Sequence, residues 1–234
     1  MKKILMLTAT LSFFSLGLMA DTAQERLQAS AGVFHEIMAT PDKGVPQDLL
    51  NKAYCVVIVP GLKKGAFIVG GEYGKGYAIC RKGRGMGWGA PAAIRVTGGS
   101  FGFQLGGSST DVVMLIMNEH GMKELDKDKF TVGADASVAA GPVGRTAAAK
   151  TDAYMSAEIL SWSRSQGLFA GVALNGATLR PDKDDNKELY GKPFGSREIL
   201  MTSTAPPASA RQLITELDRY SMREERPSSA DRSH

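Results

Sequence analysis

The sequence contains few of the side-chain combinations that catalysis requires. Its three histidines lie far apart: His35 in a predicted helix, His120 near a turn and His234 at the last residue. Hydrolytic centres usually need an imidazole base beside an organised nucleophile. No Gly-x-Ser-x-Gly elbow or His-Glu-x-x-His pair occurs in the sequence. We therefore predict that the protein is not an enzyme, has no catalytic residues and needs no cofactor.

Two segments come close to phosphate- and metal-binding patterns without completing them. Val69 stands where a phosphate loop would need the glycine five residues before Gly74. Alternating polar residues that begin at Asp182 resemble a calcium loop, but Lys187 replaces its turn glycine. We therefore predict an ordinary polar turn over residues 181–187, and no metal site.

Basic residues cluster instead in one predicted β meander, with aromatic side chains between them. The cluster consists of Lys63, Lys64, Lys75, Arg81, Lys82 and Arg84. Cations suit lipid phosphates and amphipathic rings suit the headgroup level, so we predict that the cluster and Trp88 bind lipid. Arg145 is a further candidate, because backbone N–H groups of its Gly-Pro-Val-Gly-Arg turn can help seat an anion. A solvated charged surface and a structural turn are the alternative interpretations.

The elements that must position these residues follow from the apolar periodicity. A helix is predicted from Thr22 to Thr40, and a second one starts at Pro46. Glycine-rich strand patterns then predict a strongly curved antiparallel sheet or partial barrel. The predicted strands are Tyr54–Val59, Ala66–Gly71, Gly76–Arg81, Ala93–Thr97, Ser100–Leu105, Val112–Met117, Thr131–Ala140, Tyr154–Ser163 and Leu168–Leu179. The expected fold class is α+β, with N-terminal helices packed on this sheet.

Further elements complete the predicted domain organisation. A short helix is expected at Glu119–Lys127, and a loosely attached C-terminal helix at Ala210–Tyr220. We divide the chain into a signal peptide (1–20), a single domain (21–200), a linker with the C-terminal helix (201–222) and a disordered tail (223–234).

The first twenty residues have the pattern of a cleavable export signal. Lys2 and Lys3 precede an apolar stretch that ends at the small residue Ala20. An uncleaved membrane anchor is the alternative, because the apolar run approaches the roughly 17 to 20 residues that span a bilayer. We expect cleavage near Ala20 and a periplasmic or peripherally membrane-associated protein. The formal net charge of +4 includes the two signal lysines, so we expect no nucleic-acid partner.

Two cysteines, Cys55 and Cys80, lie in predicted strands. A disulfide requires their Cα atoms to come within about 7 Å. Two buried free thiols remain the alternative.

Seven motifs in a fixed order resemble the SYLF domain family. They are Ala53–Pro60, Gly70–Gly76, Trp88–Pro91, Asp111–Val113, Gly133–Arg145, Gln166–Gly171 and Asn186–Gly191. The resemblance covers residues 27–200 and implies non-catalytic lipid binding. Eukaryotic relatives are associated with phosphoinositides and cortical actin, and exported bacterial relatives are usually described as lipid-binding proteins. Because the sequence shows no SH3 or FYVE segment and export is predicted, we expect no actin partner.

The functional hypothesis is therefore binding of anionic phospholipid at an envelope membrane. A periplasmic scaffold or stress protein that binds another protein is the second hypothesis.

Overall fold

The computed structural model of the chain describes residues 21–40, 44–66, 70–82, 87–100, 106–144, 156–165 and 167–221. The fold is α+β, as predicted, with a curled sheet between an N-terminal and a C-terminal helix in the chain. The helices are α1 (Ala23–Ala39), α2 (Gln47–Lys52), α3 (Glu119–Leu125), α4 (Lys183–Tyr190), α5 (Ser196–Leu200) and α6 (Arg211–Tyr220), which a 3-10 turn (Ala208–Ala210) precedes. The strands are β1 (Cys55–Ala66), β2 (Gly70–Cys80), β3 (Ala92–Ser100), β4 (Gly106–Ile116), β5 (Phe130–Thr131), β6 (Val138–Ala140), β7 (Ile159–Ser165), β8 (Leu168–Gly171) and β9 (Thr178–Pro181).

The nine strands form one open half-barrel sheet. Its strand order is β5-β9-β3-β2-β1-β4-β7-β6, and β8 pairs with β7. All pairs are antiparallel except β6 with β7. The long strands β1 to β4 occupy the middle, so the predicted curved antiparallel sheet is confirmed.

A bulge interrupts β1, and bulges bend the strand that carries them. The pairing of β1 with β4 shifts register between Val59 and Leu62, and Gly61 there has a φ of 60°. The neighbouring strand β2 comes so close that a Cβ on Gly76 would overlap the Ile58 carbonyl oxygen and lie 2.8 Å from the Val59 Cα. Only glycine fits such an approach.

The structure corrects the prediction of two strands, Ala66–Gly71 and Gly76–Arg81, on either side of residues 72–75. Those residues lie inside one continuous strand, β2. Gly74 is small because a Cβ there would lie 2.8 Å from a methyl group of Leu62. The glycines between the two predicted strands serve strand packing instead.

Each face of the sheet covers its own apolar core. Helices α1, α2 and α6 pack on one face, called here the helix face, where Val56, Ile58 and Tyr77 are fully buried. The opposite face is covered by Leu125 of α3 and by the segments around Phe130 and Leu174. The Cys55 and Cys80 pair lies on that opposite face and forms a disulfide with a Cα–Cα distance of 3.9 Å between directly paired residues.

Three predicted segments differ from the structure. The strand predicted at residues 131–140 is interrupted by a turn at residues 133–135, with Thr131 ending β5 and Val138 beginning β6. The strand predicted at residues 168–179 is interrupted between β8 and β9. The polar turn predicted at residues 181–187 is helix α4, capped by the Asp182 side chain, which accepts the Asp185 N–H. A cap and local side-chain contacts therefore outweigh the weak helix propensity of its aspartates.

The C-terminal helix is firmly attached, contrary to prediction. Leu213 and Leu217 of α6 are fully buried against α1. Its last turn is held by Arg81, whose guanidinium donates to the carbonyl oxygens of Leu50, Ala53 and Ser221 at 3.1, 3.2 and 3.0 Å. One side chain thus joins the C-terminal ends of α2 and α6, where carbonyl groups lack helical partners.

Replacing Gly76 with alanine tests the importance of the close approach of β2 to the β1 bulge. The added methyl group meets backbone rather than a flexible side chain, so we expect a loss of roughly 3 kcal/mol or more in unfolding free energy, measured by urea denaturation. Gly71→Ala in the same strand is the control, because its Cβ would have no neighbour nearer than 3.8 Å. Equal stability of both variants would contradict the packing role of Gly76.

Replacing Arg81 with lysine tests the anchoring of α6. An ammonium group cannot reach three carbonyl groups from this position at once, so we expect faster amide hydrogen exchange in residues 211–220 and a loss of roughly 2 kcal/mol in stability. Arg211→Lys, at an exposed position of α6, is the control. Unchanged exchange in α6 of the Arg81 variant would show that the apolar contacts suffice.

Candidate functional site

The predicted basic residues do not form one cluster. Lys63 and Lys64 lie near the end of β1 that pairs with the start of β2, whereas Lys82 follows the far end of β2. Lys82 lies ten positions after Glu72, the partner of Lys64, which corresponds to about 33 Å of extended strand. The structure therefore separates the predicted cluster into three places: the two ends of β2 and Lys75 between them.

The first place is an exposed end of the sheet. Lys63 is paired with Tyr73 on β2 and with Ser109 on β4, so these side chains share the helix face. Lys63 is exposed, and Tyr73 is 48% exposed, the second most exposed large apolar side chain among the described residues. Lys64 points the other way and forms an ion pair with Glu72 at 3.4 Å. Two residues further along β2, α1 and α4 cover the helix face at Lys75.

Lys75 is occupied in a partly buried ion-pair network. Its ammonium lies 2.8 Å from carboxylate oxygens of both Asp182 and Asp185. Asp185 also pairs with Arg26 of α1. The network therefore fixes α1 and α4 against the middle of β2.

The pKa values within this network move in the direction that keeps it ionised. Burial alone would raise the pKa of the Asp182 carboxyl, but the Lys75 ammonium, the Asp185 N–H and the charge of Arg95 hold it below its ordinary value. Burial likewise works to lower the pKa of Lys75, but its two carboxylate partners raise it above the ordinary value. Lys75 is therefore a charged structural residue rather than a free cation.

A buried tyrosine adds to the same junction. The Tyr77 hydroxyl donates to the Ala23 carbonyl oxygen at 2.6 Å, and the Ala23 N–H donates to Glu188 at 3.1 Å. Burial raises the pKa of Tyr77 well above its ordinary value, so the hydroxyl stays protonated and available as a donor. The start of α1 is thereby tied to both β2 and α4.

Arg81 and Trp88 are used inside the fold. The Trp88 ring is fully buried, and the Arg81 guanidinium stacks over it with Cζ 4.1 Å from the ring centroid. In this arrangement neither side chain is presented to a membrane surface. Lys82 is exposed beside them. Arg84 and Arg145 lie outside the described residues.

Sequence reasoning missed two arginines on the helix face. Arg95 of β3 is directly paired with Lys75 of β2 on one side and with Arg180 of β9 on the other. Three cations therefore stand side by side on three adjacent strands. Like charges in directly opposed positions are unfavourable in a sheet.

A signal for these arginines exists in the sequence, but it is incomplete. Arg95 and Arg180 each follow a buried apolar residue in a strand, Ile94 and Leu179, so alternation alone would place each on the polar side of its strand. The pairing of β3 with β9 joins residues that are 85 positions apart, and no local pattern predicts it.

Two further features of the described residues concern membrane-spanning helices and metal sites. Within the described ranges, no helix is both long enough and apolar enough to cross a membrane. Those residues also contain no group of three or more metal-ligating side chains suited to hold an ion.

Comparisons with known proteins support the family resemblance found in the sequence. The family model Ysc84, described as "Las17-binding protein actin regulator", matches residues 97–220. The human SH3 domain-containing YSC84-like protein 1 is 33% identical over 181 residues, which are 77% of this chain and 52% of the human protein. LAS seventeen-binding protein 3 of Saccharomyces cerevisiae is 33% identical over 180 residues, which are 76% of this chain and 39% of the yeast protein.

The chain spans about half the length, or less, of the curated relatives it matches. The names of these relatives describe binding proteins or regulators, and none of them denotes an enzyme. With more than half of its residues matched by the family model, and with the motifs in the family's order, the chain belongs to the Ysc84 family, whose domain is also called SYLF.

Proposed function

We propose that this protein binds anionic phospholipid at a membrane surface without catalysing a reaction. The observation that carries the proposal is the exposed pair of Lys63 and Tyr73, which lie opposite each other on β1 and β2. An ammonium group contributes about 1 kcal/mol near an anionic bilayer, and a tyrosine ring suits the interface between water and lipid. The two groups therefore supply the electrostatic and the interfacial part of a contact between a peripheral protein and a membrane.

The position of the pair suits a flat partner. Lys63 and Tyr73 share a face with Ser109, and the exposed Ser108 is the next residue on β4. Helix α1, through Arg26, and helix α4, through Asp185, meet at Lys75 instead, two residues further along β2. Small and hydroxyl residues around the pair leave room for a bilayer surface to approach it.

Other basic residues of the sequence-based prediction contribute to different degrees. The Lys64 side chain is 41% exposed, and its charge is paired with that of Glu72. Lys82 lies at the far end of β2 and would need a separate contact. Arg84 and Arg145 remain predicted lipid contacts, whereas Lys75, Arg81 and Trp88 stabilise the fold.

The proposed membrane is an envelope membrane, reached after export with the residues up to about Ala20 removed. The Cys55–Cys80 disulfide supports this location, because disulfides persist in oxidising compartments and are rare in a reducing cytoplasm. Cys55 is fully buried and Cys80 is 2% exposed.

Binding of a protein partner is the second candidate function. It is favoured by the family description, Las17-binding protein actin regulator, and by the name of the yeast relative. If the chain is exported as proposed, actin is not the partner that it meets. The surface that holds Lys63 and Tyr73 would then bind a protein rather than a bilayer.

Vesicle flotation with Lys63→Glu and Tyr73→Ala variants tests lipid binding. We expect the mature protein to float with phosphatidylglycerol vesicles but not with neutral ones, and to be released by salt. Lys63→Glu reverses a charge at the contact and should weaken binding roughly tenfold, and Tyr73→Ala should weaken it less.

Lys123→Glu is the matched control for charge. Lys123 lies on α3, which follows the far end of β4, and it is 65% exposed. Equal loss of binding in both lysine variants would show that only net charge matters. Equal recovery of the wild type with neutral and anionic vesicles would remove the electrostatic basis of the proposal.

Export can be tested by the intact mass of the protein recovered from its natural host. We expect a mass that corresponds to a chain starting near Asp21 and to one disulfide. A full-length cytoplasmic protein with two free thiols would contradict the proposed location.

A further inference from the structure

The cation row on the helix face contains an arginine pair that forms no ion pair within the described residues. Arg95 and Arg180 are directly opposed on β3 and β9, and Lys75 extends the row on β2. The acids at this junction are engaged elsewhere, because Asp182 and Asp185 contact Lys75, and Asp185 also contacts Arg26. Neither arginine of the pair therefore forms an ion pair with these acids, although the charge of Arg95 still acts on Asp182.

The hydrogen-bonding groups of this pair are also available. The buried Nε of Arg95 has no hydrogen-bond partner among the described residues, although its charge helps to lower the pKa of Asp182. Arg180 is exposed, and it forms no hydrogen bond or ion pair within the described ranges. Buried polar groups are normally satisfied, so an unpaired guanidinium nitrogen indicates a missing partner.

Hydroxyl groups stand beside the arginines on the same face. Thr97 and Thr178 are paired with each other two residues further along β3 and β9, and Thr131 of β5 extends their row with its Oγ1 3.4 Å from that of Thr178. Thr97 is in turn paired with the exposed Tyr73. Two guanidinium groups and two hydroxyl groups thus lie next to the proposed membrane contact.

We propose that Arg95 and Arg180, together with the hydroxyl groups of Thr97 and Thr178, bind the phosphoryl group of a phosphomonoester lipid headgroup. Guanidinium forks match phosphate oxygens in pairs, and hydroxyl groups can donate to the oxygens that remain. A phosphomonoester presents three terminal oxygens and up to two negative charges, which suits two adjacent guanidinium groups better than a diester does. This inference rests on the lipid-binding function proposed above and assigns its headgroup chemistry.

The position of the site connects it to the bilayer contact. Tyr73 lies between Lys63 and Thr97 in one row across β1, β2 and β3. A headgroup held by the arginines would therefore belong to a lipid whose neighbours meet Tyr73 and Lys63. Free phosphate has the same charge and oxygen atoms as the headgroup, but it would not require Tyr73 and Lys63 beside the arginines.

The test compares vesicles of equal surface charge that contain either phosphatidic acid, a monoester, or phosphatidylglycerol, a diester. We expect the mature wild type to prefer phosphatidic acid. The variant Arg95→Gln/Arg180→Gln should lose this preference and bind phosphatidic acid roughly tenfold more weakly. Arg197→Gln/Arg211→Gln removes the same charge from exposed positions of α5 and α6 and should keep the preference.

Two further variants separate binding from folding. The exposed Arg180→Gln alone should have an unchanged or higher melting temperature, because it relieves the repulsion between paired like charges. Thr97→Val/Thr178→Val keeps every charge and should still reduce the preference for phosphatidic acid. A large fall in the melting temperature of Arg180→Gln would assign the pair a structural role and overturn the proposal.

The remaining outcomes distinguish this inference from the general function. If the arginine variant keeps the preference of the wild type, the site is wrong while lipid binding stands. If the wild type floats with neither vesicle, lipid binding itself fails. Calorimetric titration with inorganic phosphate then tests whether the site binds a soluble phosphate instead of a lipid. If the wild type binds phosphate but does not float with vesicles, and the arginine variant does not bind phosphate, the occupant is not a lipid headgroup.

Discussion

The bulge in β1 is the constraint on which the rest of the structure depends. It lies between Val59 and Leu62, where β2 crosses so closely that Gly76 can carry no side chain. The Asp111 carboxylate secures the bulge by accepting the Gly61 N–H at 2.8 Å and the Arg164 Nε–H at 2.7 Å. Arg164 also pairs with Glu36 of α1, so the same acid connects the bend of the sheet to the first helix. Strand curvature and helix position are thus determined together.

The bend divides the sheet into two parts with different roles. On one side of it, helices cover the sheet and the strands are apolar on both faces, with Val56 and Val57 fully buried. On the other side, the strand ends carry Lys63, Tyr73 and Ser109 without a covering helix. Burial explains why basic residues of the same meander differ in their exposure and in their partners. Lys75 and Arg81 lie where carboxylate or carbonyl partners replace water, whereas Lys63 keeps its hydration and remains available.

The sequence predicts the elements of the fold better than the arrangement of its charges. Continuous apolar runs predict β1 and β4, and a 3.6-residue period predicts α1, because both patterns are local. The glycines of β2 suggested a break between two strands, because the reason for Gly76 lies in a strand about 18 residues earlier in the chain, at Ile58. The motif that begins at Asp111 was recognisable as a family feature. Its role at the bulge required knowledge of the β1 and β4 pairing.

The candidate site shows the same limit of sequence-based prediction, for residues that lie further apart in the chain. Lys63 and Tyr73 were both visible as basic and aromatic residues of one meander, and the structure places them opposite each other. Arg95 and Arg180 each occur singly in a strand, and neither forms a charge run. Only the long-range pairing of β3 with β9 brings their charges together. Clusters found in a sequence therefore consist of residues that are near each other in the chain, whereas a sheet brings together residues that are paired on neighbouring strands.

The arginine pair raises a question of stability that the surrounding residues help to answer. Directly opposed like charges cost a sheet about 0.2 to 1 kcal/mol, which is a noticeable part of the 5 to 15 kcal/mol that holds a typical domain together. The nearby network offsets such a cost, because Arg26, Lys75, Asp182 and Asp185 form mutually compensating pairs. Those acids could have been placed to neutralise Arg180, yet they contact Lys75 and Arg26. An arginine pair without an ion-pair partner, beside a network whose charges are paired, is the arrangement expected where the counter-ion comes from a ligand rather than from the chain itself.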